Sequence, residues 1–342
     1  MAAALGKAGP GSAAGLFSED KAPTTTPAQP QPPMTVRAAL VANPVRYGTA
    51  PCGSGLAARI FVTASARDGS GGAVPVSPWH DVPLKVNPTP PAQATPPPSA
   101  AAATAPPPLF NMVVEVPAGT TPKVEVATGE GPLNPLAQDT TAAGAPRSFP
   151  APLWFNYGML PKTWESPSID AETGAPGDGD PVDVVEVGGW IDEVTGKGNV
   201  GGWGAGSSPA SGALPAGAVV PVKVLGALAL IDGGELDWKV LAIRASHPAA
   251  AALSSVVDLE AAAGPGCVDR LVAFYTDYKL AEGKPRNAWG RGGGPVSAAE
   301  AVAVIEGAAA AYEEAGLGPP SVTAPPGLLA LRARSRVVLP TE

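Results

Sequence analysis

The chain is poor in the residues from which most zinc, redox and nucleophilic centres are made. Its 342 residues include two cysteines, Cys52 and Cys267, and two histidines, His80 and His247. That excludes a zinc-finger pattern and a disulfide framework, and it fits a reducing compartment. Neither histidine has a partner at metal or triad spacing, so both read as structural or surface residues. Charge is also sparse: 15% of residues are charged, and 30 acids against 22 bases leave a net charge of −8. With no basic stripe to neutralise phosphates, nucleic acid is not an expected partner. Long apolar runs are missing as well. The longest candidate, 219–231, is interrupted by Pro221 and Lys223 and falls short of the roughly 18 to 20 residues that cross a bilayer, so no membrane partner is expected. The glycine-rich stretches 201–206 and 291–294 lack the GxxxxGK[ST] spacing of a phosphate loop and read as linkers.

Proline and glycine, by contrast, are abundant. Their 43 and 42 copies make up about a quarter of the chain, which implies that much of it is not packed. Three low-complexity stretches, 1–50, 88–108 and 196–217, cannot bury enough apolar surface to offset their chain entropy and read as exposed. Residues 1–50 are read as a disordered tail or an organelle transit peptide; their Ala, Pro, Ser and Thr content favours the latter, and Glu19 and Asp20 count against it. The other two stretches are read as insertions in one folded domain, 51–316, followed by a tail, 317–342.

Within that domain the pattern predicts strands at 111–117 and 123–127, joined by a turn at 118–122, and further strands at 154–160, 182–187, 219–231 and 237–245. Two helices are expected. One, at 268–280, carries Leu271, Phe274, Tyr275 and Tyr278 at three-to-four spacing. The other starts at Ser297 with Glu300 forming a capping box, places Val302, Ile305, Ala309 and Tyr312 on one face, and ends at Gly316. The fold class is therefore mainly β (α+β). Short strands in this number suit a small closed barrel with helices packed outside.

The acids are not scattered evenly. Gly177-Asp178-Gly179-Asp180-Pro181-Val182-Asp183 places three carboxylates within six residues, and Asp232 and Asp237 flank a second turn. Carboxylates at this density raise one another's pKa unless cations neutralise them, and an all-oxygen donor set suits a hard divalent ion that also holds phosphate. A calcium loop of the EF-hand type fits less well, because counted from Asp178 its sixth and twelfth positions are Asp183 and Gly189 rather than glycine and glutamate.

Six motifs then form an ordered series. Asn111-Met112-Val113-Val114-Glu115-Val116-Pro117, Asn156-Tyr157-Gly158, the aspartate segment through Val184, Leu225-Gly226-Ala227-Leu228-Ala229-Leu230-Ile231-Asp232, Asp237-Trp238-Lys239-Val240, and Tyr278-Lys279 with Gly283-Lys284-Pro285 resemble the successive motifs of family I soluble inorganic pyrophosphatases. The segment around Trp79-His80-Asp81 and the strand-like 58–66 are similar to the amino-terminal extension of the eukaryotic type.

The resemblance implies a five-stranded OB-like barrel with packed helices and extra amino-terminal strands, hydrolysing inorganic pyrophosphate to two phosphates with three to four Mg²⁺ ions. It implies that Asp178, Asp183 and Asp237 hold the first metal and that Asp183 also ligates the second. Asp232 and Asp237 would receive metal arriving with the substrate, and Glu125 would hold a further ion. Asp180 would take the proton of the attacking water. Lys123, Arg147, Tyr278 and Lys279 match the family's phosphate ligands, with Tyr157 and Lys239 on the leaving-phosphate side and Glu115 orienting Lys123 or Arg147 by ion pairing. Taken alone, Lys239 after Trp238 would read as a solvated strand residue.

The chain departs from the family where the segment between Arg147 and Asn156 is shorter and where Leu153 replaces the usual tyrosine, which removes a hydroxyl near the metal site. That departure motivates the alternative, a non-catalytic pyrophosphatase-like module that binds metal or phosphate. A homodimer is the expected assembly, and the chloroplast stroma the expected compartment, with the cytoplasm as alternative.

Overall fold

The computed structural model describes residues 45–66, 72–86, 107–193, 195–198 and 212–318. The first 44 residues, the cores of both insertions and the stretch from 319 onward lie outside the described residues, and with them the tail or transit peptide, the linker at 201–206 and the closing tail expected there.

The described strands fall into two sheets. The smaller is built from β1 (Val45–Cys52), β2 (Arg59–Ala66), β3 (Val74–Val76), β5 (Val124–Val126) and β6 (Leu136–Gln138), in the order β1-β2-β6-β5 with β3 beside β2. The larger contains β4 (Leu109–Val116), β7 (Asn156–Met159), β8 (Asp183–Glu186), β9 (Val219–Asp232) and β10 (Glu235–Arg244), and their pairings close on themselves, since β10 meets both β8 and β9. Five strands thus form a ring, matching the expected strand number and closure. Two short strands, β11 (Ala288–Trp289) and β12 (Val296–Ser297), add to β9.

The ring strands read as continuous apolar runs because both of their faces are covered. Val184, Val240 and Ala242 belong to one buried cluster, whereas their neighbours Val185, Leu241 and Ile243 belong to another. Helices α1 (Val256–Ala263) and α2 (Cys267–Asp277) pack on the second cluster through Leu259, Leu271 and Tyr275, and α3 (Ala298–Glu314) covers the first through Ala301 and Ile305. The capping box of Ser297 and Glu300 is formed as expected. The long β9-β10 hairpin turns at Gly233 and Gly234, both at positive φ (65° and 99°), as a tight two-residue hairpin turn requires.

Four details differ from the expectations. Strands β4 and β5 do not form a hairpin: β4 pairs with β7 and β9, while β5 turns away to pair with β6 in the smaller sheet. The domain boundary at residue 50 falls inside β1, which pairs along its whole length with β2. Helix α2 ends at Asp277 and tightens into a 3-10 turn, Tyr278–Glu282, leaving Leu280 exposed. The carboxyl end of the 196–217 insertion is fastened to the ring rather than loose, because Asn156 bonds both Gly212 O (3.0 Å) and Leu214 N (2.8 Å), and Gly217 N bonds Val114 O (2.7 Å).

Candidate active site

Register places the chemistry. Asp183, the first residue of β8, lies opposite Lys239 of β10 on one side and Met159 of β7 on the other. Strand alternation then sets Asp237 beside Lys239 and Tyr157 beside Met159, on the faces that meet there. Lys239 donates to both oxygens of Asp237 (2.5 and 2.6 Å), to Asp183, and more weakly to the Tyr157 hydroxyl (3.3 Å); Tyr157 in turn donates to Asp183. Lys239 is 2% exposed, with the rings of Tyr157 and Tyr275 each 5.4 Å away. It is therefore a buried cation, not the solvated residue its local sequence suggests. Burial alone would lower its pKa, but Asp183 and Asp237 outweigh that and hold it well above the usual lysine range.

The aspartate loop precedes β8. Asp178 accepts the backbone N–H of Asp180 (2.9 Å) through Oδ1, and Gly179 takes φ 86° to close the turn. Gly177 is required by close approach: a Cβ there would lie 2.4 Å from Ser166 O and 2.7 Å from Glu165 O. Burial, together with the charge of Asp237, pushes Asp178 up to about 6. Asp180 is reachable by solvent but crowded by the cleft walls, and burial with the charges of Asp178 and Glu125 pushes it up to about 7. Among the described residues its carboxylate makes no hydrogen bond or ion pair.

A second group of charges stands on the smaller sheet and nearby loops. Lys123 bonds Glu125 (2.5 Å) and Asp139 (3.0 Å), and Arg147 bonds Asp139 (2.6 Å) and Glu282 (3.2 Å). Backbone bonds fix Arg147 despite the shortened loop after it: its N–H reaches Asp139 O (2.8 Å), and its carbonyl accepts from Lys123 N (3.0 Å). At the end of β9, Asp232 is held by Tyr278 (2.7 Å) and Lys279; burial opposes its ionisation, yet these bonds keep its pKa below the usual range.

All of these predicted residues line one cleft of 620 Å³, and so does Glu115. The role expected of Glu115 is not the one observed. It pairs with neither Lys123 nor Arg147; it is buried on β4 and accepts Val126 N (2.7 Å), tying the ring to the smaller sheet. Leu153 is fully buried in the apolar core and is not part of the cleft lining. His80 stacks on Trp79 and meets the Tyr312 hydroxyl, and His247 is buried against Ala249 N, both away from the cleft.

Sequence reasoning missed Asp139 and Glu165. Asp139 bridges Lys123 and Arg147 and stands after a strand too short to give a pattern. Glu165 lies in a loop without periodicity, and its carboxylate comes within 4.8 Å of ligand atoms of Asp178 and Asp237.

Oxygen donors, several acids with raised pKa, and a buried carboxylate oxygen of Glu165 that has no hydrogen-bond partner fit a hard divalent cation. The cleft faces such a site with lysines and arginine, the groups that hold phosphate.

Comparison with known proteins identifies the family. The family model described as inorganic pyrophosphatase matches residues 112–197 and 210–313. The soluble inorganic pyrophosphatase 1, chloroplastic, of Chlamydomonas reinhardtii is 38% identical over 64% of this chain, which spans 63% of that protein's length. The mitochondrial inorganic pyrophosphatase 2 of Mus musculus is 37% identical over 70% of this chain and 66% of its own. Among solved structures, the truncated vacuolar soluble pyrophosphatase of Trypanosoma cruzi in complex with PPi superposes with a TM-score of 0.64 at 30% identity, covering 80% of this chain and 92% of that one. The ring, the ordered motifs and the cleft they line thus have one common explanation: the chain belongs to the inorganic pyrophosphatase family.

Proposed function

We propose that this protein hydrolyses inorganic pyrophosphate to two phosphates with Mg²⁺, three to four ions being the number the resemblance implies. The observation that carries the reading is the contrast within the acids: Asp183, Asp237, Asp232 and Asp139 are engaged by bases, whereas Asp180 is left free to accept a proton.

Asp178, Asp183 and Asp237 would hold the first ion, with Asp232 and Glu125 taking others. Bound there, divalent ions would neutralise the acids and supply a water of lowered pKa. Asp180 takes the proton as the water oxygen bonds to one phosphorus and the bond from that phosphorus to the bridging oxygen breaks. The electron pair of that bond stays with the departing phosphate. Lys123, Arg147, Tyr278 and Lys279 orient the substrate, since phosphoryl transfer depends mainly on position and charge stabilisation. Tyr157 and Lys239 fix Asp183 and Asp237 and face the leaving side. Glu115 supports the junction of the two sheets.

We place the protein in the plastid stroma as a homodimer, supported by the chloroplastic relative and the eukaryotic-type motifs. No described helix is long and apolar enough to cross a membrane. The test of function is phosphate release from pyrophosphate by purified protein with Mg²⁺ and with EDTA. Turnover only with the metal is expected; folded protein that releases no phosphate at saturating Mg²⁺ would overturn the reading.

A further inference from the structure

Glu165 occupies a place that its local sequence does not explain. Its backbone straps the aspartate loop: Glu165 N bonds Asp180 O (2.8 Å), and Gly179 N bonds Glu165 O (2.9 Å). Its side chain reaches the other half of the site, accepting Trp238 N (2.9 Å) through Oε1, one residue beyond Asp237. One residue therefore joins the loop that carries Asp178 to the strand that carries Asp237. The side chain is 6% exposed and does not line the cleft itself. It stands behind the two aspartates, with a ligand atom of each of the three within 4.8 Å of the others. The second oxygen, Oε2, is buried without any hydrogen-bond partner.

A buried carboxylate oxygen with no partner is costly, and such groups in native proteins call for an ion or a water to complete them. Holding Trp238 N accounts for Oε1 only; a glutamine could do that as well and would carry no charge. The acid is explained by a positive charge arriving next to it.

We infer that Glu165 is a further carboxylate of the cation site assigned to Asp178, Asp183 and Asp237, acting from behind Asp178 and Asp237 through its unpartnered Oε2 on the bound divalent ion, and so sets the affinity for that ion. This rests on reading the cleft as a divalent-cation site. Glu165 is thereby a positioning residue rather than one that touches pyrophosphate. Its effect belongs on metal binding, and turnover at saturating metal changes less.

The experiment is Mn²⁺ binding followed by electron paramagnetic resonance, with Mg²⁺ competition, on wild-type protein and on Glu165→Gln. The amide oxygen of Gln retains the bond to Trp238 N, so the metal-free melting temperature should be equal or higher. Mn²⁺ affinity should fall roughly tenfold or more, the range seen when a residue behind the metal ligands is removed. The Mg²⁺ concentration for half-maximal turnover should rise in parallel, with kcat at saturating Mg²⁺ within about threefold of wild type. Glu165→Asp keeps the charge but withdraws the oxygen by one methylene; it should bind Mn²⁺ with intermediate affinity, and it carries the comparison if the Gln variant does not fold. Affinity within twofold of wild type in the variant that folds would overturn the inference. If wild-type protein itself bound no Mn²⁺, the reading of the cleft would fall, and the inference with it, which is a different result from a wild type that binds beside an unchanged variant.

Discussion

Two groups of charges line the same cleft and are built on opposite terms. The Lys239 group, with Asp183, Asp237 and Tyr157, stands on ring strands whose register leaves it little freedom, and its lysine is almost wholly buried. The Lys123 and Arg147 group, with Glu125, Asp139 and Glu282, stands on a three-residue strand and loops, with every member partly open to solvent. Bases and acids neutralise one another in both. In the first group a missing partner would leave charge in a closed interior; in the second, water would replace it. The buried group therefore has a structural role as well as a chemical one, whereas the open group can release its internal pairs when an anion arrives.

The largest contrast is expected between the two groups in turnover. Asp183→Ala removes an acid that Lys239 and Tyr157 both contact, and hydrolysis should fall on the order of 10³-fold in a steady-state phosphate assay. Arg147→Ala, in the open group, should raise KM for pyrophosphate about tenfold with a smaller change in kcat. Equal effects from the two substitutions would break the comparison.

Stability should divide the groups as well. Lys239→Met strands Asp237 as a buried acid, with Asp183 half-buried beside it, and should cost about 3 kcal/mol in metal-free urea denaturation. Lys123→Met, in the open group, should cost about 1 kcal/mol or less.

A smaller effect concerns pH. Asp178 and Asp180 have folded-state pKa values raised to about 6 and about 7. Between about pH 4 and pH 7 the folded protein therefore binds more protons than the unfolded chain, and its stability falls as pH rises through that window. The metal-free melting temperature should decline from pH 5 to pH 7.5, and Mg²⁺ should raise it more at pH 7.5 than at pH 5. An increase with pH in the metal-free protein would contradict the acid cluster as described.

The two groups also differed in how legible they were. The aspartate loop, Asp232 and Asp237 could be read from sequence because acids cluster at turns between strands, whereas Lys239 was legible only through the family resemblance, its local sequence suggesting a solvated residue. Asp139 and Glu165 could not, because each is a lone acid whose partners are distant in sequence and are assembled only by the fold. The β4-β5 hairpin was misread for a related reason. Short loop length and alternation argue for pairing between neighbours, but β4 is taken up on both sides by β7 and β9, which leaves β5 to the smaller sheet. Helix α1 escaped notice although Ser255 caps it and accepts Asp258 N, a local signal that was present. Leu153, read as a lost hydroxyl, is a core residue in the same cluster as Phe149 and Phe155 and does not line the cleft.

The account rests most directly on Asp180, an acid whose carboxylate makes no hydrogen bond or ion pair among the described residues. The decisive measurement is kcat for pyrophosphate hydrolysis by Asp180→Asn at saturating Mg²⁺, with pyrophosphate binding followed by calorimetry on the same preparation. A loss of about 10²- to 10⁴-fold in kcat with binding retained is expected of a group that takes the proton from water. A variant that turns over within threefold of wild type would contradict it.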